Sequence, residues 1–396
     1  MPPVQHALLG ASSAHRWLNC PPSARLTEHM EDGGSQYASA GTLAHAIGEL
    51  KARKYFETMP TRSYNAAMKK LKADPEYAPE MDSATDVYLE HLKACAMSFG
   101  KDHPFVALEI RVDYSNIVPE GFGTADCVMI GDGCVEVIDY KNGSGIPVDA
   151  EKNEQLMLYA LGAIHMFRPI YGDTIQQVHL SIVQPHAGGV KEWSCTAAEL
   201  TEWGETVAAP QAALAWAGMG EYSPGSWCKN SFCKARPQCR AYAQYVLEFE
   251  KALQGFESAK DAGPLLTDDE LGDILTRSAE LNAFVKDLGD YALEAALSGR
   301  RIAGYKVVEG RKPKAWIGGT DAAFAQLTQR GIEEALLWER KPVSVAGLEK
   351  TLGKAAFRKA AEGLWEKLPG KPALAPESDS RPPYDPAAAA FQAVDA

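Results

Sequence analysis

Four short runs rich in β-branched and apolar residues, with one amphipathic helix between the third and the fourth, constrain this chain more than any other feature. FVALEIRVDY, GTADCVMIGD and CVEVIDYKNG follow closely across residues 105–143, and QQVHLSIVQP comes later, at 176–185. Between them AEKNEQLMLYALGAIHMF carries apolar residues at three- and four-residue spacing, as a helix packed on a sheet requires. Strands, a helix, then another strand predict an α/β fold, a mixed β-sheet flanked by helices. The stretch before residue 100 reads helical, with GTLAHAIGELKARKYF and MDSATDVYLEHLKACAMSF both amphipathic.

The third run poses a chemical problem. Val135, Val137 and Ile138 have the character of a central strand, yet the run ends in Asp139 and Lys141 before an Asn-Gly turn. Two residues apart on a strand, both charges point to one face. Charges there are costly unless something pairs with them. A plain salt bridge capping the strand is one answer. Asp126 offers another. It stands early in the preceding strand, and a hairpin around Gly-Asp-Gly brings it beside Asp139 at the same sheet end. Two convergent carboxylates suit a hard divalent cation such as Mg²⁺ or Mn²⁺, and the backbone carbonyl of Tyr140 can add a ligand. Lys141 beside such a cation can orient an attacking water and offset charge developing on a phosphate. Gln155 and Tyr159, four apart on the following helix, share a face that can line the same site, and His45 and Glu49 repeat that spacing on an earlier helix.

The ordered set GTLAH, GTAD, VIDYKNG and QLMLY resembles the RecB-like and Cas4-like branch of the PD-(D/E)xK nuclease superfamily. The resemblance implies a restriction-endonuclease-like core over about residues 40 to 160, and a metal-dependent deoxyribonuclease, of exonuclease type. It implies His45, Asp126 and Asp139 as metal-binding side chains, with the Tyr140 carbonyl beside them. Lys141 would be the catalytic lysine, and Gln155 and Tyr159 the substrate-side pair. Glu109 resembles, more loosely, an acidic residue of the preceding strand.

Eight cysteines in a chain with no sign of a secretory leader are not read as a disulfide framework. Cys95, Cys127, Cys134 and Cys195 lie in apolar or amphipathic surroundings and read as small hydrophobes. Cys228, Cys233 and Cys239 form a C-x4-C-x5-C run, and Cys20 stands far upstream in RWLNCPPSARL. One distant cysteine plus a compact triplet resembles the iron–sulfur staple of the same nuclease branch. This implies a 4Fe-4S cluster clipping together the ends of a loop of roughly 200 residues. Tetrahedral Zn²⁺ is the alternative for four thiolates.

The remaining organisation follows from composition. The expected domains are a nuclease domain at 1–248, a C-terminal helical and hairpin domain at 249–368, and a Pro/Ala-rich tail at 369–396 expected to be disordered. In RRIAGYKVVEGRKPKAW, read as a short hairpin, Arg300, Arg301, Lys306, Arg311, Lys312 and Lys314 interleave with Tyr305 and Trp316. That pattern fits either a DNA strand tracked by charge and stacking or a solvated face. The net charge of −12 argues against a generally basic nucleic-acid coat without excluding a local basic groove. No apolar run approaches the roughly 18 residues of a membrane helix, so the expected setting is cytoplasmic, that of the host for a phage-encoded protein. The N-terminal SSAHRWLNCPPS, the nuclease core and the tail segment PESDSRPPYD together resemble a family of phage- and prophage-encoded proteins of unassigned function, which implies a role in phage DNA recombination or replication. DNA is the expected partner, with a single-strand annealing protein or helicase as a further one. The alternative is a DNA-binding recombination scaffold that keeps the fold without cleaving.

Overall fold

The computed structural model describes residues 7–30, 36–100, 103–143, 147–253, 267–308, 320–329, 345 and 353. Two short helices, α1 (Ala14–Asn19) and α2 (Ser23–Thr27), precede α3 (Gln36–Phe56), α4 (Thr61–Leu71) and α5 (Glu80–Ser98). Three strands follow, β1 (Phe105–Asp113), β2 (Phe122–Gly131) and β3 (Cys134–Tyr140), then α6 (Glu154–Tyr171), β4 (Gln177–Gln184) and β5 (Gly189–Thr196). The five strands form one sheet in sequence order, antiparallel except for β3 and β4. That parallel pair needs a crossover, and α6 supplies it. The mixed α/β sheet read from the sequence is the fold observed. The sequence reading did not include β5, a strand of alternating half-buried and exposed residues at the sheet edge whose apolar signal is weak.

Helices cover both faces. On one, α6 packs with the N-terminal helices and with α7 (Ala197–Trp203) and α8 (Ala209–Ala217), around a core that includes Trp17, Val137, Leu158 and Leu180. On the other, α3 and α5 pack around Ile47, Leu92, Met129, Ile138 and Tyr140. Asn153 starts α6 by accepting a hydrogen bond from the Leu156 amide, which satisfies one of the free donors at a helix start. Both faces being covered explains why β3 has apolar residues on both, Val135 and Val137 on one and Ile138 and Tyr140 on the other.

A second feature has direct consequences for the site. Leu108 belongs to the α3/α5 core, whereas Ile110 packs on the α6 core, and Ala125 and Cys127 are divided in the same way. Residues two apart on a regular strand face one side. Both β1 and β2 therefore turn over at one level, at Glu109 and Asp126, and Glu109 takes a φ of +48°. Such a local break in a strand re-aims side chains and is costly without a compensating interaction.

Beyond the sheet, α9 (Ser226–Asn230) carries Cys228, and the connection from it to α10 (Arg240–Leu253) carries Cys233 and Cys239. The long helix α11 (Asp268–Leu297) is the one read from the sequence, and α12 (Thr320–Gln329) follows. The chain divides into two compact units, Met1–Leu265 with Glu280–Tyr291, and Leu266–Ala279 with Ala292–Ala396. The middle of α11 thus belongs to the first unit, where Phe284 packs with Cys228, Tyr242 and Val246, Tyr242 donates to Glu280, and Arg236 pairs with Asp287. Residues 300–308 contain a turn and no strand among those described, in place of the first arm of the expected hairpin. The tail at 369–396 lies outside the described residues.

The close approach of α6 to β2 depends on Gly123, where an added Cβ would stand 2.7 Å from Cε1 of Tyr159. Gly123→Ala is expected to lower stability by about 1–3 kcal/mol through overpacking, read as a lower urea midpoint with an unchanged slope. Pairing it with Tyr159→Leu should recover part of that loss, since contacting sites are not additive.

Candidate active site

The strand register brings three carboxylates to one level. Leu108 pairs with Cys127 and Ile110 with Ala125, which sets Glu109 opposite Asp126. Cys127 pairs with Ile138, which sets Asp126 beside Asp139. Like charges opposed across a sheet destabilise it, and the surroundings show how the chain accommodates them.

His45 of α3 reaches Asp126, with Nδ1 3.4 Å from Oδ1. The other Asp126 oxygen accepts from the Tyr140 amide at 2.7 Å, so β2 holds β3 here through a side chain. The Tyr140 ring meets His45 edge-on and tilts against Tyr88, which fixes the imidazole between helix and sheet. His45, Glu109 and Asp126 each offer one ligand atom within 4.8 Å of the others. Beside them Lys141 Nζ lies 2.8 Å from Asp139 Oδ2 and donates to Gln155 Oε1 at 3.2 Å. Gln155 Nε2 donates to Asp139 Oδ1 at 3.0 Å and to Tyr159 Oη at 3.4 Å. The structure therefore gathers every core site residue read from the sequence into one region, where the end of β3 meets the middle of β2. They form two adjoining groups, with Asp139 in the lysine group and Glu109 taking a place beside His45 and Asp126.

The electrostatics reflect a site short of positive charge. Burial, Asp126 and Glu49 push the Glu109 carboxyl up to about 7, against smaller lowering effects of His45 and Arg53. Burial alone would lower His45, yet its hydrogen bond to Asp126 and the charges of Asp126 and Asp139 raise it. Burial and Asp126 raise Asp139, although Lys141 opposes them. Arg53, bound to Glu49 and Glu57, also donates to the Leu108 carbonyl and so ties α3 to β1 at the turned-over residue.

A divalent cation fits this donor set on two observations. Two carboxylates and an imidazole, from Glu109, Asp126 and His45, converge with one ligand atom each within 4.8 Å of the others. The carboxylates and imidazole are hard or borderline donors of the kind that Mg²⁺ and Mn²⁺ accept. Glu109 was the site residue least visible in the sequence: it sits in an ordinary alternating strand, and only its positive φ and register mark it.

The cysteines form a separate locus. Cys20, Cys228, Cys233 and Cys239 all line one small open pocket, together with Arg16 and Ser23. Four thiols from two ends of the unit thus meet, as the sequence reading expected. Arg16 Nε and Ser23 Oγ are buried without hydrogen-bond partners. Two orphaned donors against four sulfurs fit an occupant that accepts hydrogen bonds and carries negative charge.

The chain matches, over residues 6–382, the model of a family described as "Protein of unknown function (DUF2800)". It belongs to that family. A solved structure described as "Crystal structure of SSO0001" resembles this DUF2800 protein at 13% identity, over 58% of this chain and 96% of that one. Its TM-score of 0.21 is too low to carry an argument. No described helix of the DUF2800 protein is long and apolar enough to cross a membrane. Arg300, Arg301 and Lys306 are exposed in the second unit, and Arg311, Lys312 and Lys314 lie outside the described residues.

The raised Glu109 carboxyl predicts a pH signature in metal-free protein. The unfolded chain loses this proton near pH 4.5 and the folded one near 7, so the folded state binds more protons in between and stability falls as pH rises through that window. Glu109→Gln should lack this component and gain most over the parent above pH 7. Thermal melts in EDTA between pH 4.5 and 8 test it, and parallel curves for the two proteins would refute it.

Proposed function

We propose that this protein is a divalent-metal-dependent deoxyribonuclease hydrolysing phosphodiester bonds. The observation that carries the reading is the junction, beside the end of β3, of the His45–Glu109–Asp126 group with the Asp139–Lys141–Gln155 group. A lysine held by a carboxylate beside a set of metal-ligating groups is an arrangement suited to a phosphodiester, which carries negative charge before and during attack.

His45, Glu109, Asp126 and Asp139 would hold the cation. When bound, Mg²⁺ or Mn²⁺ supplies positive charge against the phosphate and acidifies water at neutral pH. The chain's own groups divide the rest. Asp139 keeps Lys141 charged: burial would lower the ammonium, and the neighbouring carboxylate more than restores it. Gln155 holds Lys141 and Asp139 in register by donating to one and accepting from the other. Tyr159, closed against Gly123, limits how far Gln155 can swing. Lys141 has three ammonium protons, and its partial exposure leaves room to direct one at a phosphate oxygen.

The exonuclease mode and the role in phage DNA recombination or replication, with an annealing protein or helicase as partner, rest on the family resemblance of the motifs. The four cysteines are read as ligands of a structural 4Fe-4S cluster.

The test is a time course on end-labelled linear DNA and on circular DNA with Mg²⁺ or Mn²⁺, using protein purified without oxygen. Loss of linear DNA alone, slowed roughly 100-fold or more by Lys141→Ala, is the expected result. Intact DNA of every form with metal-replete protein would overturn the reading, and DNA binding insensitive to Lys141→Ala would then favour the scaffold. Separately, such protein should contain about four iron and four sulfide per chain. Cys20→Ser should lose most of both; zinc without sulfide would instead establish the tetrahedral alternative.

A further inference from the structure

The α5 side of the sheet carries a polar strip where a core would be expected. Glu136 of β3 pairs with His179 of β4, and Ser181 of β4 with Glu192 of β5, so these four share the face that α3 and α5 cover. Glu136 is buried to 6% exposure and accepts from Ser181 Oγ at 2.8 Å, with its second oxygen 3.4 Å from His179 Nδ1. Across from the strip, α5 presents His91 and Cys95, four residues apart and therefore on one helix face. Cys95 Sγ lies 3.4 Å from His91 Nε2. One ligand atom each from His91, Cys95 and Glu192 falls within 4.8 Å of the other two.

We propose that His91, Cys95 and Glu192 form a zinc-binding site that ties α5 to the edge strand β5. Imidazole, thiolate and carboxylate are the three ligand types that Zn²⁺ takes in proteins, and three of them leave a fourth tetrahedral position for water or a further side chain. Softer than an all-oxygen set, this one discriminates against Mg²⁺ and Ca²⁺. The site belongs to a different pair of elements from the Asp126 group and from the four-cysteine pocket, so it stands whether or not the protein is a nuclease.

The local electrostatics favour His91 as a ligand and make Cys95 the ligand whose proton must be displaced. Burial lowers His91 below its ordinary range despite the nearby Glu192 and Glu136, which keeps the imidazole neutral and its lone pair available. Burial, with Glu136 and Glu192, pushes the Cys95 thiol up to about 12, so without a cation it holds its proton. On binding, the thiol gives that proton to solvent as the sulfur–zinc bond forms, with no change in oxidation state. The cation would also offset Glu136, a buried carboxylate that accepts from the Ser181 hydroxyl and lies beside the half-exposed His179.

The experiment compares full-length parent, His91→Gln and Glu192→Gln, each loaded with excess ZnCl₂, desalted, and assayed for zinc by elemental analysis. Zinc held at the four cysteines is common to all three and cancels in the difference. The parent should retain about one zinc per chain more than either variant, and added Zn²⁺ should raise its melting temperature more than theirs. Glu192 is exposed, so Glu192→Gln leaves folding intact and keeps the comparison valid if His91→Gln misfolds. In parallel, Co²⁺ should give the parent a thiolate-to-cobalt absorption that Cys95→Ala diminishes. Equal zinc content and equal thermal shifts in parent and Glu192→Gln would overturn the proposal.

Discussion

The opposition of Glu109, Asp126 and Asp139 across three neighbouring strands is the constraint on which the site and much of the fold around it depend. Three carboxylates at one level of a sheet repel, and burial increases the cost of each charge. The chain answers by bringing cationic or donor groups from every side: His45 from α3, Lys141 from the end of β3, Gln155 from α6 and the Tyr140 amide from the backbone. It also keeps Glu109 protonated up to about pH 7. Asp139 has Lys141 beside one oxygen and Gln155 on the other, whereas Glu109, Asp126 and His45 converge with one atom each within 4.8 Å of the others.

The strand reversal at Glu109 and Asp126 belongs to the same constraint. Turning β1 and β2 over sends Leu108 and Cys127 to the α3/α5 layer and Ile110 and Ala125 to the α6 layer, and it leaves the two acidic residues at the point of reversal. Strain at Glu109 is held in place by the sheet pairing on both sides and by Arg53, which bonds to the carbonyl just before it. Preorganisation of this kind is what a charge-stabilising site needs, because its groups do not have to move when the substrate arrives.

The cysteine pocket serves the architecture differently. It joins α1 and α2 at the start of the chain to α9 and α10 some 200 residues later, across a loop whose closure entropy packing must otherwise offset. Few apolar residues stand there to do so: the buried cluster is Cys228, Tyr242, Val246 and Phe284, and the middle of α11 provides part of it. An inorganic core held by four thiolates would supply the missing cohesion.

The periodicity of the chain by itself determined that four strands and their covering helices form a mixed α/β sheet, because apolar alternation and helical spacing are local properties. The short spacing of Asp139, Tyr140 and Lys141, and the four-residue spacing of Gln155 and Tyr159, likewise placed those side chains on common faces. The half-exposed edge strand β5 escaped, since its burial comes from one neighbour and one face only. Only the tertiary structure decided that Glu109 joins His45 and Asp126, because a turned-over strand leaves no periodic mark when its neighbour turns with it. Only the structure, too, set His91 and Cys95 against Glu192. Their proximity spans nearly 100 residues of chain, and no local pattern encodes a contact made by packing a helix onto a sheet.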